Sequence, residues 1–240
     1  MLPHRQPTRV RQHRLLGHPQ GIRKDLRGRR EVLPGGEVLR NLETPLSEET
    51  VRSLKLGETV YLYGPVITGR DEMHIRALEL AHEGKEVPED IMGSAIFHCG
   101  PIMRRTESGW TVVAAGPTTS ARMNKLEAEF IERFGIRAVI GKGGMSPEVA
   151  EAMKRNGCVY LAATGGAAIS LAEGLARCTG VEWEDLGMAE AMWKFQTQRF
   201  GPLIVAIDAD GNSLYEKVNG SLKRRVACGS RLPRPAGRGR

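Results

Sequence analysis

The chain has no apolar run approaching the ~18 residues of a membrane-spanning helix, so a bilayer span is not expected. Cysteine is sparse. Cys99, Cys158, Cys178 and Cys228 lie far apart with no C-x-x-C pair. That spacing suits neither a disulfide framework nor a zinc site, and it predicts reduced thiols in a cytoplasmic protein with no metal site of its own. The start, Met1-Leu2-Pro3-His4-Arg5, runs into more arginine and not into an apolar stretch, so a secretory signal is not expected. Residues 1–40 contain no serine and carry Pro3, Pro7, Pro19 and Pro34, a poor match to a mitochondrial presequence.

Charge is present but unevenly placed. Residues 1–40 hold ten Lys/Arg against three Asp/Glu, and residues 221–240 hold seven Lys/Arg and no acid. Each end is therefore +7, and with +7 overall the residues between them carry −7. The first 40 residues read as a basic flexible extension ending at Pro34-Gly35-Gly36. The last twenty, broken by Pro233, Pro235, Gly237 and Gly239, read as a basic disordered tail. The folded domain is expected over 41–220.

Within it, 58–67 is rich in β-branched and aromatic residues and reads as a strand. A helix over 71–83 follows, with Gly84 placed to end it. Residues 95–98 form a short strand candidate. Three units then repeat one plan. A strand at 111–115, a turn at 116–120 and a helix to Phe134 make the first. In that helix Met123, Leu126, Phe130 and Phe134 share one face. A strand at 137–140, the turn 141–144 and a helix from Ser146-Pro147 to Asn156 make the second. A strand at 158–162, Thr164-Gly165-Gly166 and a helix to about Arg177 make the third. A last strand is expected at 203–208. Strand, glycine-rich turn and helix in succession imply an α/β fold with a parallel sheet core and right-handed crossovers. Ligands of such sheets bind beyond the carboxyl ends of the strands, where these turns lie.

The turns carry anion chemistry. In Gly116-Pro117-Thr118-Thr119-Ser120-Ala121-Arg122, a helix N-terminus supplies unpaired N–H groups and the positive end of its dipole. The hydroxyls add donors, and Arg122 adds a fork that matches a carboxylate or phosphate. An ordinary helix cap explains one hydroxyl, not three beside an arginine. In Gly141-Lys142-Gly143-Gly144-Met145 a lysine stands between glycines. A Walker loop needs Ser or Thr at 143 and a dinucleotide fingerprint needs Gly at 146, so both nucleotide readings fail. A solvated surface lysine explains Lys142 alone equally well. Arg70-Asp71-Glu72-Met73-His74 repeats the theme, with Asp71 and His74 spaced to orient an imidazole for proton transfer. The plain alternative is a helix-start Asp71 and a packed His74. His98 reads as a buried strand end, and Trp183 and Trp193, among Met188 and Met192, as core or partner contacts.

In order, the chain contains Arg70-Asp71-x-x-His74, Phe97-His98-Cys99-Gly100-Pro101, Gly116-Pro117-Thr118-Thr119-Ser120-Ala121-Arg122-Met123 and Gly141-Lys142-Gly143-Gly144-Met145. Leu186-Gly187-Met188-Ala189-Glu190-Ala191-Met192-Trp193 and Phe200-Gly201-Pro202-Leu203-Ile204-Val205 follow. Over residues 43–220 this set resembles the β subunit of the iron–sulfur, class I fumarate hydratase and L-tartrate dehydratase family. The resemblance implies a swivelling β/β/α domain that works with an α subunit, in a higher-order α/β hetero-oligomer. The α subunit would hold the [4Fe–4S] cluster. It also implies that Arg70, Arg122 and Lys142 clamp the carboxylates of a small dicarboxylate, with Thr119 as a further donor. Thr118 would lie beside the carbon that loses its proton, with His74 or a partner residue as the alternative proton carrier. Two departures, Gly69 and Asp210 before Gly211, bear on substrate preference. The rival reading is nucleic-acid binding through the arginine-rich ends, against which stand the acidic core and the missing aromatic-basic patch.

Overall fold

The computed structural model describes residues 30–32, 38–107, 109–164, 166 and 168–218. The described residues open with β1 (Arg30–Val32), β2 (Val38–Glu43) and α1 (Glu48–Arg52). β3 (Thr59–Gly69), α2 (Asp71–His82), β4 (Ala95–His98) and a hairpin of β5 (Ile102–Thr106) and β6 (Gly109–Ala114) follow. Next are α3 (Asn124–Phe134), β7 (Ala138–Gly141), α4 (Pro147–Asn156), β8 (Val159–Ala163) and α5 (Ala168–Gly174). β9 (Arg177–Glu182) and β10 (Met192–Ile207) complete the strands among the described residues. Residues 30–32 and 38–40, inside the stretch expected to be an arm, are therefore strand. The remainder of that arm, Gly165 and the tail from 219 onward lie outside the described residues.

The main sheet runs β1-β2-β3-β4-β7-β8-β10-β9, and β10 also pairs with β3. That extra pairing closes β3, β4, β7, β8 and β10 into a ring. The steps from β2 through β3, β4 and β7 to β8 are parallel, whereas β10 is antiparallel to each neighbour. The α/β class with a mostly parallel sheet is thus present. β4 and β7 are buried at every position, as expected of strands covered on both faces. On one face α2, α3 and α4 bury Met73, Leu78, Phe130, Ile131, Val149 and Met153. On the other, Leu54, Phe97, Leu171, Trp193, Phe195 and Phe200 fill the curl of the sheet. Both α3 and α4 end on a left-handed glycine, Gly135 and Gly157, each at φ 63°.

Two expectations are corrected. The strand before Gly116 is not in the parallel sheet: β6 pairs only with β5, and its alternating exposure shows one face turned to solvent. The strand that belongs to this turn is β4, with the hairpin inserted after it. The last strand begins at Met192, eleven residues earlier than expected from 203, and β9 occupies the end of the expected third helix. β10 bends between Thr197 and Leu203, where Arg199 and Gly201 have positive φ, so only its second half matches the expected strand. The bend lets one strand serve β3, β8 and β9.

Candidate active site

β3, β4 and β7 are adjacent and parallel, so the segments leaving their carboxyl ends converge on one edge. The segment 117–120 is laid between the ends of β4 and β7. Pro117 bridges Cys99, and Thr119 bridges Lys142. The Thr118 N–H donates to the His98 carbonyl at 2.7 Å, and the Lys142 N–H donates to the Thr118 carbonyl at 3.2 Å. The Ser120 N–H donates in turn to the Lys142 carbonyl at 3.0 Å. A side chain at 141 would place its Cβ 2.0 Å from the Ser120 hydroxyl, so only glycine admits this approach. Thr118 is left half-buried at the edge, with Thr119, Arg122 and Lys142 exposed beside it.

The arginines are held by carboxylates. Arg70, the residue between β3 and α2, pairs with Glu190 at 3.2 Å. Glu190 also accepts the Glu72 N–H at 3.1 Å, capping the start of α2. Arg122 pairs with Asp71 at 2.9 Å. Asp71 therefore links the Arg70 corner to the 117–122 turn. The arrangement is a sheet edge with three cations from three strand ends, two threonine hydroxyls and a helix start. Such a set can hold two carboxylates of one small molecule.

His74 lies behind this edge. It is fully buried. Its Nδ1 meets the Arg70 carbonyl at 2.7 Å and its Nε2 faces Glu127 at 3.4 Å. In this arrangement Nδ1 is committed to the Arg70 carbonyl and Nε2 faces buried Glu127, so the ring is not placed to exchange a proton with a molecule at the edge. His98 is its counterpart, with Nε2 at 3.1 Å from the same Glu127 oxygen and Nδ1 at 2.9 Å from Ser120 Oγ. Tyr160 donates to that hydroxyl, also at 2.9 Å. The two contacts to Glu127 are ion-pair distances without hydrogen-bond alignment. Burial raises the Glu127 carboxyl, but the His98 and His74 imidazoles outweigh it and bring its pKa down to about 2. Burial opposes the His74 imidazolium, yet Glu127, the Arg70 carbonyl and Asp71 together lift it above the ordinary 6.5.

No metal-ligand pattern is visible in the sequence, but the fold gathers His74, His98 and Glu127, whose candidate ligand atoms lie within 4.8 Å of one another. An iron–sulfur cluster does not fit the described cysteines. Cys99, Cys158 and Cys178 form no group, burial pushes the Cys99 thiol up to about 12, and burial also raises that of Cys158. Among the described residues no helix is long and apolar enough to cross a membrane.

A family model described as Fumarase C-terminus matches residues 23–218. The chain belongs to that family.

Among its relatives is L(+)-tartrate dehydratase subunit beta of Escherichia coli (strain K12), 40% identical over 173 residues. That match covers 72% of this chain and 85% of the relative. A Methanocaldococcus jannaschii protein provisionally named L(+)-tartrate dehydratase subunit beta is 46% identical over 175 residues, covering 72% of this chain and 90% of its own. A provisionally named class I fumarate hydratase of Geobacillus stearothermophilus is 41% identical over 181 residues, covering 75% of this chain but 34% of that longer protein.

In this fumarase C-terminus chain the sequence reading missed Glu127 and Glu190 as site residues. Glu127 had a signal: it interrupts the apolar face of Met123, Leu126, Phe130 and Phe134, and an acid there needs a buried partner. Glu190 had none, because its partner Arg70 is brought to it only by the fold. The Asp210-Gly211 turn, noted as a departure bearing on substrate, follows β10 near the amino end of β8. That is the edge of the sheet opposite to Thr118.

Proposed function

We propose that this chain is the β subunit of a two-subunit iron–sulfur hydro-lyase that reversibly hydrates fumarate to (S)-malate. The observation that carries the reading is the convergence of Arg70, Thr118, Thr119, Arg122 and Lys142 on one sheet edge, from three adjacent strand ends. The names of the relatives support a hydro-lyase and, through "subunit beta", an α partner. The chain would act only with that α subunit, in a higher-order α/β hetero-oligomer. The [4Fe–4S] cluster belongs to the partner, where it would supply Lewis-acid assistance to the departing hydroxyl.

The chain's own contribution is electrostatic and positional. Arg70, Arg122 and Lys142 clamp the two carboxylates, and Thr119 adds a donor. In the dehydration direction the carbon beside one carboxylate loses a proton, and negative charge builds on that carboxylate's oxygens. Fixed cations then stabilise the transition state more than the bound acid. Thr118 Oγ takes the proton as its own hydroxyl proton passes to a basic group of the partner. A threonine hydroxyl is a weak base, so a group of the partner must share or relay that proton. His74 supports the site from behind.

L-Tartrate is the second candidate substrate, favoured by the names of the two relatives matched over most of their length. Anaerobic co-expression of the full chain with a candidate α subunit, followed by assays of fumarate hydration and tartrate dehydration, tests both. Turnover of fumarate and malate supports the primary reading, and turnover of tartrate alone selects the second. Absence of a complex, or of activity on either acid, contradicts both.

A further inference from the structure

We propose that Glu127 is a positioning residue of the dicarboxylate cradle, acting through His74 and His98 on the segments that present Arg70, Thr118 and Lys142. The inference rests on the cradle reading above for its catalytic consequence, but its geometry stands independently.

A carboxylate and two imidazoles in a dry core are costly, and an apolar side chain of similar size would serve packing as well or better. Phe130 already packs on His74 at 4.3 Å between ring centroids, tilted by 45°, so apolar filling is available at this place. What an apolar residue could not do is tie separate chain segments together. Glu127 comes from α3, His74 from α2 and His98 from β4. Each imidazole passes the tie on to the cradle through its other nitrogen. His74 Nδ1 reaches the carbonyl of Arg70, and His98 Nδ1 reaches the Ser120 hydroxyl. The His98 main chain holds Thr118, and the Ser120 main chain holds Lys142.

One carboxylate thus sits a single side chain away from the ends of β3 and β4, and reaches the end of β7 through His98 and Ser120. None of the three ionisable groups is exposed, so none touches substrate. The next contacts along each path are the Arg70 carbonyl on one side and Ser120 Oγ and the Thr118 N–H on the other. A change in the pairing of Glu127 therefore passes first to the segments carrying Arg70 and Thr118. A misplacement near 1 Å in such a site lowers rate by about a hundredfold.

The test compares wild type with Glu127→Gln, an isosteric change that removes the charge. In the full chain labelled with 15N, the variant should shift the amides of Arg70, Thr118 and Lys142. The His74 ring should titrate at lower pH than in wild type. Amides in β9 and α1 should stay in place. In the assembled complex, kcat/KM per folded active site should fall about a hundredfold, with thermal stability changed by a few degrees. Should Glu127→Gln not fold, His98→Gln, which leaves Glu127 its His74 partner, is read by the same amides. Unmoved cradle amides, or loss of stability with normal turnover per folded complex, would overturn the proposal. So would a stoichiometric divalent metal in the purified full chain that Glu127→Gln removes, since the three residues would then be its ligands. If wild-type complex turns over neither acid, the function fails, while the amide and imidazole shifts still decide whether Glu127 positions the cradle.

Discussion

Thr118 hangs from His98: its N–H donates to the His98 carbonyl at 2.7 Å, across nineteen intervening residues that include an entire hairpin. This bond makes the threonine turn an extension of β4 rather than of the strand preceding it in sequence. It also brings the turn against the end of β7, where Lys142 waits. The chemistry proposed for the edge depends on that placement.

Thr118→Val keeps the shape and removes the hydroxyl. In the assembled complex, exchange of the substrate's carbon-bound proton with solvent should slow by roughly a hundredfold or more, the usual contribution of a positioned base. Dicarboxylate affinity should change little. Proton exchange at the wild-type rate, followed by NMR in deuterium oxide, would remove Thr118 from the proton step.

Glu190→Gln releases Arg70 from its partner while retaining an acceptor for the Glu72 N–H. The guanidinium then samples more orientations before substrate binds. Steady-state kinetics of the complex should show KM raised roughly tenfold, the scale of one charge-assisted hydrogen bond, with kcat less affected. An unchanged KM would mean that Arg70 is oriented by other groups.

Gly141→Ala places a methyl group against Ser120 Oγ, Tyr160 OH and His98 Cβ at 2.0, 3.2 and 3.4 Å. The turn must move or the hydroxyl must rotate out of its contacts. Urea unfolding of the chain should show a loss of about 1–3 kcal/mol, as for other overpacked sites. A neutral substitution would show that the turn is looser than its contacts suggest.

The buried cluster gives stability a pH signature. The Glu127 carboxyl is depressed to about 2 from 4.5, so its contribution is complete above 4.5 and disappears as pH falls toward 2. The His74 imidazole is raised from 6.5, so its contribution is complete below 6.5 and is lost as pH rises through the higher folded value. Asp71, His98, Tyr160 and Cys158 also face the cluster. This part of the stability is therefore greatest between about 4.5 and 6.5. In denaturant titrations, Glu127→Gln should flatten the acid slope between 4.5 and 2 relative to wild type. Parallel slopes would show that the carboxylate is not charged in the core.

Much of the cradle was legible because its parts are local. Gly141-Lys142-Gly143 and Thr118-Thr119-Ser120 each announce a turn with donors, and the stripe of Met123, Leu126, Phe130 and Phe134 marks α3. What was not legible depends on long-range pairing. β6 looks like any strand until β5 takes its hydrogen bonds, and β10 hides its length behind Gly201-Pro202. The carboxylates of Glu190 and Glu127 acquire meaning only when α2 and β4 are folded beside them. His74 stood open between a proton carrier and a packed residue, since its helix position alone fits either face, and the fold buries it.

The most direct test of the dicarboxylate cradle is kcat/KM for Arg122→Lys in the assembled α/β complex, on whichever acid the wild-type complex turns over. Lysine keeps the charge but loses the fork that matches a carboxylate. The account predicts a fall of about a hundredfold, comparable to removing one transition-state donor, with light scattering showing an intact complex. Wild-type kcat/KM in that variant would contradict it.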